Sequence, residues 1–202
     1  MTIAWRQRSG GAQAQRALGV AAVAFLSVAP AIALTPVTEF QASHYQGTWY
    51  EIASIPGFFQ GKCARDTRAE YVPEEGGAMI VRNRCVRPDG GVQQAEGRAR
   101  VLDPSLPSVL KVTFVNQLGI WWYPFGRNQV VIAEGRNNQW IVIAEPSLHY
   151  GRILARQPTM ADEALRAAVA ALVAEKYDLC MFMFKPQTGG RAQASRLCDE
   201  GL

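Results

Sequence analysis

Histidine is nearly missing from this 202-residue chain, which has only two, and cysteine is held to four. His44 and His149 stand alone, and none of Cys63, Cys85, Cys180 and Cys198 forms a Cys-x-x-Cys spacing, so a zinc site lacks its ligands. No Ser/His/Asp grouping stands out, which removes the usual hydrolytic constellation. A surplus of one charge is missing too. The formal net charge is +4, but Arg6, Arg8 and Arg16 fall in the first 33 residues with no acid among them, and removing them leaves 18 basic and 17 acidic residues. A basic face for nucleic acid is therefore unsupported, and no nucleic-acid partner is expected.

The same three arginines precede an apolar run from Ala17 to Ala29 and the small-residue pattern Ala31-Ile32-Ala33. The run is too short for a comfortable bilayer span, and the layout is that of a secretory signal over residues 1–33, cleaved after Ala33 or, less favourably, at Ala29-Pro30-Ala31. No Cys follows the small-residue site, so a lipidated N-terminus is not expected. The exported chain should be soluble, in the periplasm or secreted, and its four thiols should form disulfides.

What remains is dominated by short strands. Gly47-Thr48-Trp49-Tyr50-Glu51-Ile52-Ala53 opens the pattern, with a glycine that lets the backbone pass tightly and a Trp that turns inward. Residues 63–72 and 78–86 flank Pro73-Glu74-Glu75-Gly76-Gly77 as a hairpin. Pairing residues whose numbers sum to 148 puts Cys63 opposite Cys85 and sorts Thr67, Ala69, Tyr71, Met79 and Val81 onto one face. That register predicts a Cys63–Cys85 disulfide. Cys180 and Cys198 are left as a second pair, unless Cys198 reaches back to another strand.

Further strands are expected at 93–102, with small inward Ala95, Gly97 and Ala99, at 109–115, with Leu110, Val112 and Phe114 inward, and at 129–133, 139–144 and 150–155. Small inward residues suit a sheet wrapped around a space. Between them, Leu118-Gly119-Ile120-Trp121-Trp122-Tyr123-Pro124-Phe125-Gly126 reads as an aromatic loop, which either folds over the core or meets an apolar ligand or a membrane surface. Adjacent Phe58 and Phe59 in the first connection either pack under it or line the rim of a cavity. About eight strands with short links close most simply as an eight-stranded up-and-down antiparallel β-barrel, an all-β fold. After Pro158 a single helix is expected outside it, N-capped by Thr159 with Leu165, Val169, Leu172 and Val173 on its stripe, followed by a strand from Tyr177 to Phe184.

The order Gly47-x-Trp49, a meander, Arg156 late in the last barrel strand, then a helix and a strand resembles the lipocalin family. Gly47-Thr48-Trp49-Tyr50-Glu51-Ile52-Ala53, Gln94-Ala95-Glu96-Gly97-Arg98-Ala99, Leu110-Lys111-Val112-Thr113-Phe114 and Leu154-Ala155-Arg156-Gln157-Pro158-Thr159 are similar to the bacterial lipocalins and apolipoprotein D. The resemblance implies a lipocalin domain over 45–186, with 34–44 as a lead-in and 187–202 as a flexible tail. It further implies that Arg156 stacks on Trp49 at the closed end, Gly47, Trp49 and Arg156 being structural, and that the cup binds small hydrophobic molecules without a cofactor.

For the ligand, Phe58, Phe59, Tyr71, Met79, Phe114, Trp121, Trp122 and Tyr123 are the expected apolar walls and rim. Alternation also turns Tyr150 and Arg152 inward, with Arg65 joining them from the other side. Arg152 then meets a fatty-acid carboxylate or lysophospholipid phosphate, or it snorkels to the rim or pairs with an internal Glu or Asp. The chain is read as a non-enzymatic carrier in the cell envelope, a monomer or weak dimer, with transient membrane contact through the aromatic loops. Two other readings stay open: a lipid-modifying enzyme using a thiol or an acid–base pair, and a haem or tetrapyrrole binder with His44 or His149 as axial ligand.

Overall fold

Trp49 is fully buried, and the chain closes around it. The computed structural model describes residues 34–57, 60–125 and 127–201, so the signal-like segment 1–33 and the pair Phe58 and Phe59 lie outside the described residues. The strands are β1 (Gly47–Ser54), β2 (Arg65–Pro73), β3 (Ala78–Val86), β4 (Val92–Val101), β5 (Val109–Thr113), β6 (Asn116–Gln117), β7 (Ile120–Trp121), β8 (Arg127–Glu134), β9 (Trp140–Ala144), β10 (Gly151–Ala155) and β11 (Met183–Phe184). Eight of them, β1 to β5 and β8 to β10, pair in sequence, and β10 pairs back to β1. Every pairing is antiparallel, so the sheet is a closed meander with no free edge on the barrel proper. β6 and β7 form a separate hairpin whose turn residues, Leu118 and Gly119, both have positive φ.

Alternation divides the apolar side chains into two cores. Inside the barrel, Trp49, Ala69, Tyr71, Met79, Val81, Ala99, Leu110, Val112, Val131, Ile141, Ile143 and Leu154 pack together. Outside it, Ile52, Ala53, Val142, Ala144, Ile153 and Ala155 meet Leu165, Ala168, Val169 and Leu172 of the helix α1 (Asp162–Ala174). The helix therefore covers one outer face of the barrel. Its stripe is narrower than expected, since Val173 is exposed, and the residue before it is Ala161, with no side-chain cap, in place of Thr159.

Four local outcomes differ from expectation, each for a physical reason. The β2–β3 register runs four residues from the expected one, pairing Tyr71 with Val81 and Ala69 with Asn83. An even shift keeps every inward residue inward, which is why the face assignment survives. Cys63 nonetheless bonds Cys85: a bulge between Arg65 and Arg68, with Asp66 at φ 56°, shifts the register by one residue, and the chain ahead of it stays beside β3, where Ala64 N–H donates to the Val86 carbonyl at 2.8 Å. The lead-in is part of the core: Phe40 and Tyr45 are buried at the closed end, and the Tyr45 hydroxyl donates to the Ser108 carbonyl at 3.2 Å. Only Met183–Phe184 of the last expected strand is extended, since Leu179–Met181 forms a turn of 3₁₀ helix.

The largest correction concerns 187–202, which is tied to the barrel. Cys180–Cys198 is a disulfide, Leu197 is buried, and Met183 bridges to Arg196. β11 pairs with the far half of β1, at Ala53 and Ser54, while β2 pairs only with its near half, from Gly47 to Tyr50. The two strands splay, and the C-terminal chain fills the gap: Gln187 is buried and its Nε2 donates to the carbonyls of Glu51 and Thr67, both at 2.9 Å.

The closed end is held by Arg156. Its guanidinium lies 3.6 Å from the Trp49 ring centroid and donates to four backbone carbonyls: His44 and Gln46 at 2.8 Å, Thr48 at 3.2 Å and Asn138 at 3.3 Å. Trp49 Nε1 donates to the Tyr45 carbonyl at 2.7 Å. Gly47 has φ 89°, and a Cβ there would stand 3.4 Å from Arg156 Nη1, so glycine suits both the conformation and the approach. Trp49→Ala should cost about 3–5 kcal/mol as a large buried deletion. Arg156→Lys, which keeps the charge and loses the planar fork, should cost about 1–3 kcal/mol through the orphaned carbonyls. Urea denaturation reads both, and a wild-type midpoint for Trp49→Ala would contradict the closure described.

Candidate functional site

Beyond Trp49, the inner wall carries a buried charged pair. Glu51 follows Trp49 by two residues, turns inward with it and is fully buried. Arg152 enters from β10, two residues before the inward Leu154, and is only 5% exposed. Its Nη2 lies 2.6 Å from Glu51 Oε2, while Ser54 Oγ donates to Glu51 Oε1 at 2.7 Å. Burial works against the charge on Arg152, but the Glu51 carboxylate and the neighbouring tyrosines outweigh it and raise its pKa overall. A bulge at Ile52 separates the two sides of this arrangement: Glu51 stays inside while Ile52 and Ala53 both serve the outer core.

Around the pair lies a ring of neutral polar groups. Arg152 lies 5.8 Å from the Tyr150 ring centroid, and the Tyr150 hydroxyl accepts from Gln129 Nε2 at 3.1 Å. Tyr71 and Asn83 face in from β2 and β3. Burial, and to a smaller degree Tyr150, hold the Tyr71 hydroxyl well above its ordinary pKa, so it remains a proton donor. Tyr71 Oη, Asn83 Oδ1, Gln129 Oε1 and Arg152 Nε are buried without a hydrogen-bond partner among the described residues. Folded proteins rarely leave such groups unmatched, so these mark where water or a polar ligand atom is accommodated.

Of the residues expected to line the ligand, Tyr71, Met79, Tyr150 and Arg152 converge on this interior. Phe114 ends the β5 face at the rim, 42% exposed, with ring atoms 2.8 Å from where a Cβ on Gly97 would sit. Three others lie elsewhere. Arg65 is exposed, pairing with Asp66 and donating to Thr188 Oγ1 at 2.9 Å, because the β2 bulge breaks the alternation counted back from Thr67. Trp121 and Tyr123 pack on the outer wall, under the guanidinium groups of Arg98 at 4.8 Å and Arg100 at 4.1 Å. The loop is pinned there by Trp122, whose N–H donates to Val115 and whose carbonyl accepts from Thr113 Oγ1, both at 2.9 Å. Trp122 itself is 41% exposed.

Sequence reasoning missed Glu51, Asn83 and Gln129. Each was reachable by alternation, from Trp49, Val81 and Val131 respectively. His44 sits at the closed end with Nδ1 3.2 Å from Glu134, and His149 lies on an exposed turn, so neither joins the interior cluster. Both disulfides are formed and no cysteine is free, which leaves no thiol for covalent chemistry.

Glu51→Gln should destabilise the fold by about 3–5 kcal/mol, because it strands a buried cation, whereas Glu51→Leu with Arg152→Met should recover most of the loss. Equal losses for the single and double variants, measured by chemical denaturation, would contradict the pairing. Alkali provides a second check. Burial raises Tyr45 and Tyr71, and Tyr177 is pushed up to about 12. A folded pKa above the unfolded value of about 10 contributes stability that is complete below that value and is lost as pH rises through the folded one. From about pH 10 to about pH 12 stability should therefore fall, and Tyr71→Phe should flatten that decline; an unchanged slope would show that Tyr71 ionises freely.

Residues 40–187 match the model of the lipocalin-like domain. The chain is 32% identical to the outer membrane lipoprotein Blc of Escherichia coli K12 over 178 residues, covering 85% of this chain and 96% of that protein. It is 33% identical to temperature-induced lipocalin-1 of Arabidopsis thaliana over 153 residues, 75% of this chain and 82% of the relative. Among solved structures, insecticyanin of the tobacco hornworm Manduca sexta aligns with a TM-score of 0.60 at 17% identity, covering 81% of this chain and 93% of that one. A plugged eight-stranded meander, an outer helix and a match over most of its length make this chain a member of the lipocalin family, whose barrels bind small hydrophobic ligands.

Proposed function

We propose that this chain binds and carries fatty acids or lysophospholipids in the cell envelope, without performing chemistry on them. The observation that carries the reading is the set of buried, unmatched groups, Tyr71 Oη, Asn83 Oδ1 and Gln129 Oε1, inside a barrel otherwise lined by Met79, Val81, Val112 and Leu154. An apolar wall with a few convergent polar atoms suits a molecule with a hydrocarbon body and a polar end. Arg152 is a weaker candidate for that end than alternation suggests, since Glu51 already neutralises it. An ester or carboxylate oxygen of the ligand accepts from the Tyr71 hydroxyl, whereas Asn83 Oδ1 and Gln129 Oε1 accept from a ligand hydroxyl or from water.

The envelope setting is supported by the signal-like residues 1–33 and by the Blc relatives, which are named as outer membrane lipoproteins. Each of the four cysteines is in a disulfide, so we read the attachment to membranes as transient rather than acyl-linked. The hairpin tip supports such contact, with Leu118 fully exposed, Ile120 63% and Trp122 41% exposed.

The test is displacement of a fluorescent fatty-acid analogue by oleic acid, its neutral alcohol and a lysophosphatidylcholine. Tyr71→Phe and Asn83→Leu should each weaken the favoured ligand roughly five-fold, as expected for one lost hydrogen bond. Arg152→Met should lower affinity for the acid and the alcohol by similar factors, since its charge is spent on Glu51. Failure of all three compounds to displace the probe would sink the lipid-carrier reading.

A further inference from the structure

On the outer wall of β1 to β4, two neighbouring rows of side chains treat arginine differently. One row runs Thr48, Glu70, Arg82, Glu96 across direct register partners. Arg82 there is flanked by two acids, with Nη1 3.7 Å from Glu70 and Nε 3.1 Å from Glu96. The next row, two residues along, runs Tyr50, Arg68, Arg84, Gln94 in the same register. It sets two arginines directly opposite one another across the strand pair with no acid between them in the row. Among the described residues, none of these four side chains has a hydrogen-bond or ion-pair partner.

Like charges opposed across a strand pair destabilise a sheet, so the row is costly as it stands. The nearby acids are spent elsewhere: Asp66 holds Arg65 and Thr188, Glu70 holds Arg82, and Glu96 holds Arg82 and Arg98. The wall is also concave here. Arg68 and Arg84 line both of two adjoining depressions, one of about 300 Å³ with Tyr50, Val86, Thr188 and the already paired Asp66, the other of about 260 Å³ with Thr48, Gln94 and the Glu70–Arg82 pair. Two planar forks shared by both hollows, with a phenol hydroxyl beside one and a carboxamide beside the other, are donors suited to a tetrahedral oxyanion, which two arginines can grip bidentately.

We propose that the Tyr50, Arg68, Arg84 and Gln94 row is a binding site for a phosphate group on the outside of the barrel, separate from the interior lipid site. The phosphate is either free or the headgroup of an anionic phospholipid, and the two sources are separable by experiment. The inference does not depend on the interior reading, because none of its residues faces the cup.

The experiment compares the full chain with the double variant Arg68→Gln, Arg84→Gln, and with Arg166→Gln on the exposed face of α1 as a charge-matched control. Two ligands are used at constant ionic strength: inorganic phosphate, read by thermal shift and calorimetry, and vesicles of phosphatidylcholine with or without phosphatidylglycerol, read by co-sedimentation. The site predicts that at least one ligand binds wild type and the control alike and is weakened roughly ten-fold or more in the double variant. Phosphate binding identifies a free anion, whereas vesicle binding alone, dependent on phosphatidylglycerol, identifies a headgroup. The double variant should be at least as thermally stable as wild type without ligand, since it relieves the opposed charges. Binding of neither ligand, or equal binding by the double variant, overturns the proposal. A lower melting temperature for the double variant in ligand-free buffer would also count against it.

Discussion

The barrel depends on one guanidinium. Arg156, near the end of β10, reaches across to the first strand and holds carbonyls of four residues that belong to no common element: His44, Gln46, Thr48 and Asn138. A barrel of eight strands has one junction that neighbouring hairpins cannot set, the one between its first and last strands. The β1–β10 ladder makes that junction, and Arg156 stacked on Trp49 locks its end. Lysine has no planar fork with which to do this, and no residue smaller than Trp would fill the taper that the fork covers.

The same junction accounts for the inner charge. The β1 bulge at Ile52 lets one strand serve two cores, sending Glu51 into the barrel and its next two residues toward α1. A buried carboxylate needs a cation, and β10 supplies Arg152. The β2 bulge at Asp66 performs a parallel task on the other side, turning Arg65 out to meet Thr188 and opening the gap that Gln187 fills. Two irregularities in facing strands thus define both the polar interior and the seat of the C-terminal segment.

Much of this was legible in the chain, and what was not has physical causes. Period-2 alternation identified Tyr71, Met79 and Val81 as inward even though the register was off by four, since parity is blind to even shifts. Parity fails at a bulge, and Arg65 is where it failed. Glu51 was visible by counting from Trp49, but a carboxylate in a core invites disbelief unless its partner is found with it. Trp121 and Tyr123 were misplaced because aromatic content signals burial without saying on which side of a sheet, and the stacking arginines 98 and 100 belong to a strand read only for its small residues. The tail of 187–202 looked mobile because Gly189, Gly190 and scattered arginines obscure its few anchors, Gln187, Leu197 and Cys198.

Gln187 also bears on when this protein becomes a barrel. Its amide bridges the carbonyls of Glu51 and Thr67, so the first two strands do not complete their shared wall until a residue well over a hundred positions later arrives. Contacts of such sequence separation are slow to form and are made only once the intervening loops have been closed. A chain that emerges N-terminus first therefore holds an unsealed sheet, its splayed strands open until nearly the last residues follow. For that interval the gap between β1 and β2 is an open strand edge, and Gln187 ends the interval.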